Sequence, residues 1–299
     1  MAHAARFVVP DADDGMRLDL ALARHVPGLS RRRARVLIDL GGVFVDRGRV
    51  KVAGRLVRAG QAVEANLGGA LERAVGTGAA ARARSDAELP AYRLVHEDEH
   101  LIIVDKPAGL VTAPTPESDR GNLLDLLARR GTGPVFLVHR LDLPTSGLMV
   151  FARTDLANRV LAQRFAVHDV EREYLAVVAG ELPAAIATID RPLRGKRAVT
   201  HVVGREVVAG GAATIVTVRL ETGRSHQIRL HLTDLGHPVL GDDAHGADVA
   251  RRFEPRPPRL ALHAGVLGFR HPATDEPVRW VSRPPPELAA WIDGLRGAP

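Results

Sequence analysis

Cysteine is absent from the 299 residues, which removes disulfides, thiolate metal ligands and a cysteine nucleophile together. No run of about 18 uninterrupted apolar residues exists to span a bilayer. Met1–Pro10 lacks the basic region and long apolar stretch of a signal peptide, so the expectation is a cytoplasmic protein with no membrane partner. Lysine is nearly missing: three of the 41 basic residues are Lys and the rest Arg. What is present is ordinary for a folded chain, 45% hydrophobic and 25% charged. That balance excludes collagen-like, wholly disordered and coiled-coil classes, and the length suggests about two domains.

The formal charge of +6 is unevenly spread. Residues 1–90 hold 15 Lys+Arg against 10 Asp+Glu, leaving 26 against 25 for residues 91–299. Within Ser30–Gly60 the balance is 9 against 2, concentrated in Arg31, Arg32, Arg33 and Arg35 and in Arg47, Arg49, Lys51, Arg55 and Arg58. Such clustering suits nucleic-acid phosphates; it also suits a solvated helix face.

Around those charges Ser30 reads as an N-cap, Ala34, Val36, Ile38 and Leu40 as one helix, and Gly41-Gly42 as its stop. Val43–Val45, Val50–Val52 and Ala62–Ala65 read as short strands. A small α+β module over residues 1–66 follows. Residues 67–90, rich in Gly and Ala without an apolar period, read as a linker. From residue 91 to 299 strand-like runs dominate: Leu101–Val104, Val135–Val138, Gly147–Phe151, Tyr174–Val178 and Thr214–Leu220. One helix is expected from Thr154 to His168, and a second over His226–Leu235 capped by Ser225 and closed by Gly236, although Ile228, Leu230 and Leu232 also alternate like a strand. Regular βαβ alternation is missing, so the fold class is α+β with a largely antiparallel mixed sheet.

Two segments carry candidate chemistry. His139-Arg140-Leu141-Asp142-Leu143-Pro144-Thr145-Ser146-Gly147 sets a carboxylate among a guanidinium, an imidazole and two hydroxyls between apolar strands; a carboxylate with a neighbouring cation can serve as nucleophile. A salt-bridged loop with an Asx-type turn at Asp142 is the other reading. Thr222-Gly223-Arg224-Ser225-His226-Gln227-Ile228-Arg229 places donors at a helix start, which favours an anion or a nearby carboxylate. His226 and His231 are five apart and do not share a face, and Gly241-Asp242-Asp243-Ala244-His245 mixes ligand types on a loop, so no metal site is expected.

These segments, in this order and with Glu173–Gly180 between them, resemble the RluA-type family of RNA pseudouridine synthases. Asp105–Leu110, Gly236–Asp242 and Leu260–Ala264 extend the resemblance over roughly residues 91–284. The Met16–Ala65 module, with Arg17-Leu18-Asp19, is similar to the S-four RNA-binding domain. The resemblance implies that Asp142 is catalytic, that Arg229 pairs with it, and that Tyr174 stacks on the target base with its hydroxyl near the carbon-5 proton. It implies RNA contacts from His139, Arg140, Thr145, Arg224, His226 and Gln227, with Arg31, Arg32, Arg33 and Arg35 adding phosphate attraction, and neither cofactor nor metal. Ser225 stands where threonine is usual, Ala113 where histidine is, and His245 where tyrosine is. Large-subunit ribosomal RNA is the first expectation for substrate, tRNA the alternative, and a monomer the expected state. A catalytically inactive RNA-binding or chaperone protein and a nucleoside glycosidase remain as rival readings; free uracil as product would decide for the last.

Overall fold

A computed structural model describes residues 4–66, 89–114, 121–131 and 133–297, apart from the side chain of Arg32. The linker expected at 67–90 therefore lies, but for its last two residues, outside the described residues. The chain divides into two compact units, one of residues 1–89 with 113–125, the other of 90–112 with 126–299.

In the first unit β1 (Ala4–Val8), α1 (Leu18–His25), α2 (Arg31–Asp39), β2 (Val43–Val45), β3 (Gly48–Val50) and β4 (Ala62–Asn66) follow in order. The strands form one antiparallel sheet, β1-β4-β2-β3. Ser30 caps α2, its Oγ accepting from Arg33 N at 3.3 Å, which leaves Ala34, Leu37 and Ile38 on the buried face. The sequence reading did not anticipate α1, whose Leu18, Ala21 and Leu22 are buried at helical spacing. β3 ends at Val50 rather than starting there, because Val45 pairs with Gly48 across a two-residue turn. Asp46 and Arg47 both take positive φ, 50° and 65°, as a turn of this type requires.

The second unit is built on a ten-stranded sheet. Its strands are β5 (Arg93–Glu97), β6 (Leu101–Lys106), β7 (Phe136–Leu137), β8 (Ser146–Ala152), β9 (Glu171–Ala179), β10 (Thr188–Asp190), β11 (Val199–Val208), β12 (Ala213–Leu220), β13 (Leu262–Arg270) and β14 (Pro277–Val281). They run in the order β10-β11-β12-β9-β13-β8-β6-β5, with β14 on β13 and β7 on β8. Helices α3 (Leu123–Arg130), α4 (Asp155–Ala166), α5 (Gln227–Asp234), α6 (Ala247–Ala250) and α7 (Pro286–Arg296) complete the described elements. Every pairing is antiparallel except β8 with β13. At that parallel seam a Cβ on Gly147 would lie 2.3 Å from Ala264 O, so only glycine lets the strands meet. β8 is buried along its whole length, which is why it reads as an unbroken apolar run instead of alternating. Leu148, Val150, Leu161, Leu267 and Phe269 form part of the core beneath α4, and Thr154 caps that helix through Ala157 N at 3.2 Å.

The β5–β6 hairpin is pinned by Asp98, whose Oδ1 accepts from the backbone of His100 and Leu101 at 2.7 and 2.9 Å. His96 and His271 reach its Oδ2 at 2.8 and 3.2 Å. Burial alone would raise this carboxyl, yet the bonds to its charged form outweigh burial and pull it down to about 2. A group depressed in the folded state stabilises the fold above its unfolded value and loses that contribution as pH falls through the folded one. Asp98→Asn is therefore expected to destabilise the protein by about 1 kcal/mol after allowance for solvent screening. The difference from wild type, measured by urea denaturation, should be full above pH 4 and should disappear as pH approaches 2.

Candidate active site

Asp142 lies on the connection from β7 to β8, and the backbone around it is tied down from three sides. Thr112 Oγ1 donates to Leu141 O at 2.8 Å. Gly109 N donates to Leu143 O at 2.8 Å. Thr145 N closes the turn on Asp142 O at 3.1 Å. The turn bond thus goes to the backbone carbonyl, not to the carboxylate as an Asx turn would have it, and the side chain of Asp142 is left to face the cavity.

Beneath the turn sits Lys106, fully buried at the end of β6. Its Nζ donates to Pro107 O, Leu110 O and Leu143 O at 3.0, 2.9 and 3.4 Å. Burial lowers this ammonium to about 7, against the opposing pull of the Asp142 charge. The sequence reading quoted Asp105-Lys106-Pro107 only as a motif; the signal for more was a lone lysine closing the apolar run Leu101–Val104, in a chain with three lysines.

Arg229, on the first turn of α5, bridges two carboxylates. Its Nε and Nη2 grip Asp242 at 2.6 and 2.7 Å, and its Nη1 reaches Asp142 Oδ2 at 3.2 Å. Asp242, set aside in sequence as a metal-like loop residue, is fully buried and also accepts from Ala244 N and His245 N at 2.9 and 3.0 Å. Burial opposes its charge, but Arg229 and the two backbone donors hold it below the usual carboxylate range. The helix forms as expected over Gln227–Asp234, but Ser225 does not cap it. His226 occupies that position in the left-handed region, φ 57°, with no side-chain cap bond, because its ring is turned toward His245, Nδ1 to Nε2 at 2.8 Å, and toward Asp142 Oδ1 at 3.8 Å.

Asp142, Tyr174, Arg229, His226 and Arg140 line one cavity of about 580 Å³. Tyr174 projects from β9 and is buried, which raises its hydroxyl above the ordinary tyrosine value; the Arg172 charge opposes that rise and the Asp142 charge adds to it. Thr145 Oγ1 is buried without any partner and also lines the cavity. Two expected RNA contacts have structural employment instead. Gln227 is spent internally: its Oε1 accepts from Thr222 Oγ1 and Arg224 N, and its Nε2 donates to Val199 O and Thr200 Oγ1. His139 accepts from Val150 N at 3.1 Å and stacks on Phe165 at 4.7 Å. Burial, aided by the Arg172 charge, lowers His139 to about 3, so it is a neutral ring and offers phosphate no charge. Arg224 is half-buried, its Nε on Arg197 O at 2.9 Å.

In the first unit the basic residues divide in the same manner. Arg31 and Arg35, together with Arg17, surround the buried carboxylate of Asp19 at 3.0 to 3.1 Å. Arg33, Arg47, Arg49, Lys51, Arg55 and Arg58 are exposed; the side chain of Arg32 lies outside the described residues. Among the described residues no helix is long and apolar enough to cross a membrane.

Comparison with known proteins shows the family of the chain. The RNA pseudouridylate synthase family matches residues 100–234 and the S4 domain matches residues 16–63. Ribosomal large subunit pseudouridine synthase D of Xanthomonas campestris pv. campestris is 36% identical over 97% of this chain and 92% of its own. The protein of the same description from Nitrosomonas europaea is 34% identical over 99% and 89%. Human RNA pseudouridylate synthase domain containing 4 has the same fold, with a TM-score of 0.53 at 24% identity over 68% of this chain and 93% of that one. Replacing the neutralising partner should be costly: Asp242→Asn is expected to lower the unfolding free energy by about 3 kcal/mol, read from the urea midpoint at constant slope.

Proposed function

Because the chain belongs to the RNA pseudouridine synthase family, we propose that Asp142 is its catalytic carboxylate and large-subunit ribosomal RNA its substrate. The reaction is an isomerisation. The bond from uracil N1 to ribose C1′ breaks, a bond from C5 to C1′ forms, the proton on C5 leaves and N1 takes one up. A base in a stack cannot do this, so the nucleotide must be flipped into a pocket. The observation that carries the reading is Asp142 at the cavity wall with one oxygen held by Arg229 at 3.2 Å and Tyr174 lining the same space.

In this arrangement each group has a task. Asp142 assists N-glycosidic scission as an anion, Arg229 keeps it aimed, and Tyr174 gives the uracil a stacking face while its hydroxyl relays the C5 proton, accepting it as its own proton passes on to solvent. Thr145 Oγ1, a buried hydroxyl with no protein partner, is matched by a polar group of the nucleotide. Arg140 contacts the RNA strand. A monomer is the proposed working form. The large-subunit assignment rests on the relatives' descriptions.

RNA tritiated at uridine C5 tests the proposal. Wild type should release tritium from large-subunit ribosomal transcripts while Asp142→Asn releases none, and no free uracil should form; equal release by both proteins would sink the assignment of Asp142, and release from tRNA alone the choice of substrate.

The exposed cations of the first unit supply general attraction to the strand. Replacing Arg47, Arg49, Lys51 and Arg55 by Ala should flatten the dependence of log affinity on log salt by about 0.7 to 0.9 for each phosphate no longer neutralised. Replacing Arg31 and Arg35, already committed to Asp19, should change that slope less and lower the thermal midpoint more. An equal slope in all three proteins, measured by filter binding, would show that these side chains face only water.

A further inference from the structure

Arg172 is the second buried arginine of the cavity wall beside Arg229, and no salt bridge to it is present among the described residues. It stands two residues before Tyr174 on β9, hence on the same face of the strand, and it is 7% exposed. Its Nη2 donates to Leu220 O and Glu221 O at 3.4 and 3.1 Å, and its plane lies over Phe165, 5.4 Å from the ring centre. Its Nε is buried with no partner. Among the described residues no carboxylate pairs with it, whereas Arg229, the other buried arginine of the cavity, has two. A buried guanidinium without an anion is costly, and a folded chain retains one where something else supplies the charge.

The surroundings keep that group open. Both Arg172 and His168 line the cavity, and His168 Nδ1 is a second buried nitrogen with no partner. Gly223 stands against the guanidinium: a Cβ there would lie 2.9 Å from Arg172 Nη1. The glycine of Thr222-Gly223-Arg224 thus leaves space for this arginine. Donors that are desolvated, positive and unmatched suit a phosphate, which accepts charge-assisted bonds at more than one oxygen.

We propose that Arg172 binds a backbone phosphate next to the flipped uridine, and so fixes the sugar end of the nucleotide while Tyr174 holds the base. This rests on the reading of the cavity as a pseudouridine synthase pocket. The phosphate is that on the 5′ or the 3′ side of the target, and the two are separable by experiment.

Tritium release is measured for wild type, Arg172→Met and Arg172→Lys on the large-subunit transcript across a salt series. Arg172→Met should raise KM about tenfold with kcat within threefold, and flatten log KM against log salt by about 0.7, the contribution of one single-strand phosphate. Arg172→Lys should restore the slope. In a second arm, which requires no protein variant, wild type is assayed on a synthetic RNA carrying an uncharged methylphosphonate on one side of the target uridine. One of the two positions should reproduce the tenfold KM increase, and Arg172→Met should lose nothing further on that RNA. Indifference of wild type to both positions, additive losses, or a fall in kcat with KM and slope unchanged would overturn the proposal. Absence of release by wild type from any unmodified RNA would instead overturn the functional reading beneath it.

Discussion

The site depends on one guanidinium shared unequally between two carboxylates. Arg229 spends its bidentate edge on Asp242, which is buried entirely, and only one nitrogen on Asp142, which keeps partial access to the cavity. Had Asp142 been its sole partner, the arginine would follow that carboxylate wherever it moved. Asp242 removes that freedom. A buried bidentate pair is geometrically strict, so the nitrogen that remains points along one line, and Asp142 Oδ1 stays outside the pair. Stability and orientation come from the same three residues: removing Asp242 uncovers a buried cation and releases the Asp142 side chain together.

The turn that carries Asp142 is fixed by a complementary device that leaves its side chain alone. Leu141 O, Asp142 O and Leu143 O all accept hydrogen bonds, from Thr112, Thr145, and Gly109 with Lys106 respectively. These bonds to three successive carbonyls of a partly exposed loop hold it against rotating to offer the carboxylate elsewhere. Lys106 adds to this from below, its single nitrogen tying Leu143 O to Pro107 O and Leu110 O. A protonated amine has three N–H bonds to give and a neutral one has two, so the full set of bonds calls for the ammonium, and the negative Asp142 nearby favours that form against burial.

Much of this was legible in the sequence where local rules agree with the fold. Ser30 and Thr154 cap their helices as read, the apolar runs became β6, β8, β9 and β12, and Asp142, Tyr174 and Arg229 meet in one cavity. The failures have physical causes. Ser225 looked like a cap because hydroxyls usually fill that role, yet the helix starts one residue later, with His226 in the left-handed region and its ring on His245. Gln227 and His139, which the resemblance implies as RNA contacts, also complete hydrogen bonds of β11 and β8 in the fold. Lys106, Asp242 and Arg172 escaped notice because their importance lies in partners distant in the chain, although the pairing of Arg172 with Tyr174 at a spacing of two on a strand was a usable sign.

Net charge misled in a related way. Residues 91–299 are nearly neutral in sum, which placed the general attraction for phosphates in the first unit. The sum hides a local imbalance: the carboxylates of the cavity region, Asp142 and Asp242, are both committed to Arg229, while Arg172 has no acidic partner among the described residues. A pocket with walls of low dielectric focuses such an unbalanced charge onto whatever enters. On the proposed reading the two units act on phosphates at different ranges. Exposed arginines attract the strand from solution and are screened by salt, whereas a desolvated guanidinium acts on one phosphate at contact distance and selects the geometry in which a nucleotide has left its stack.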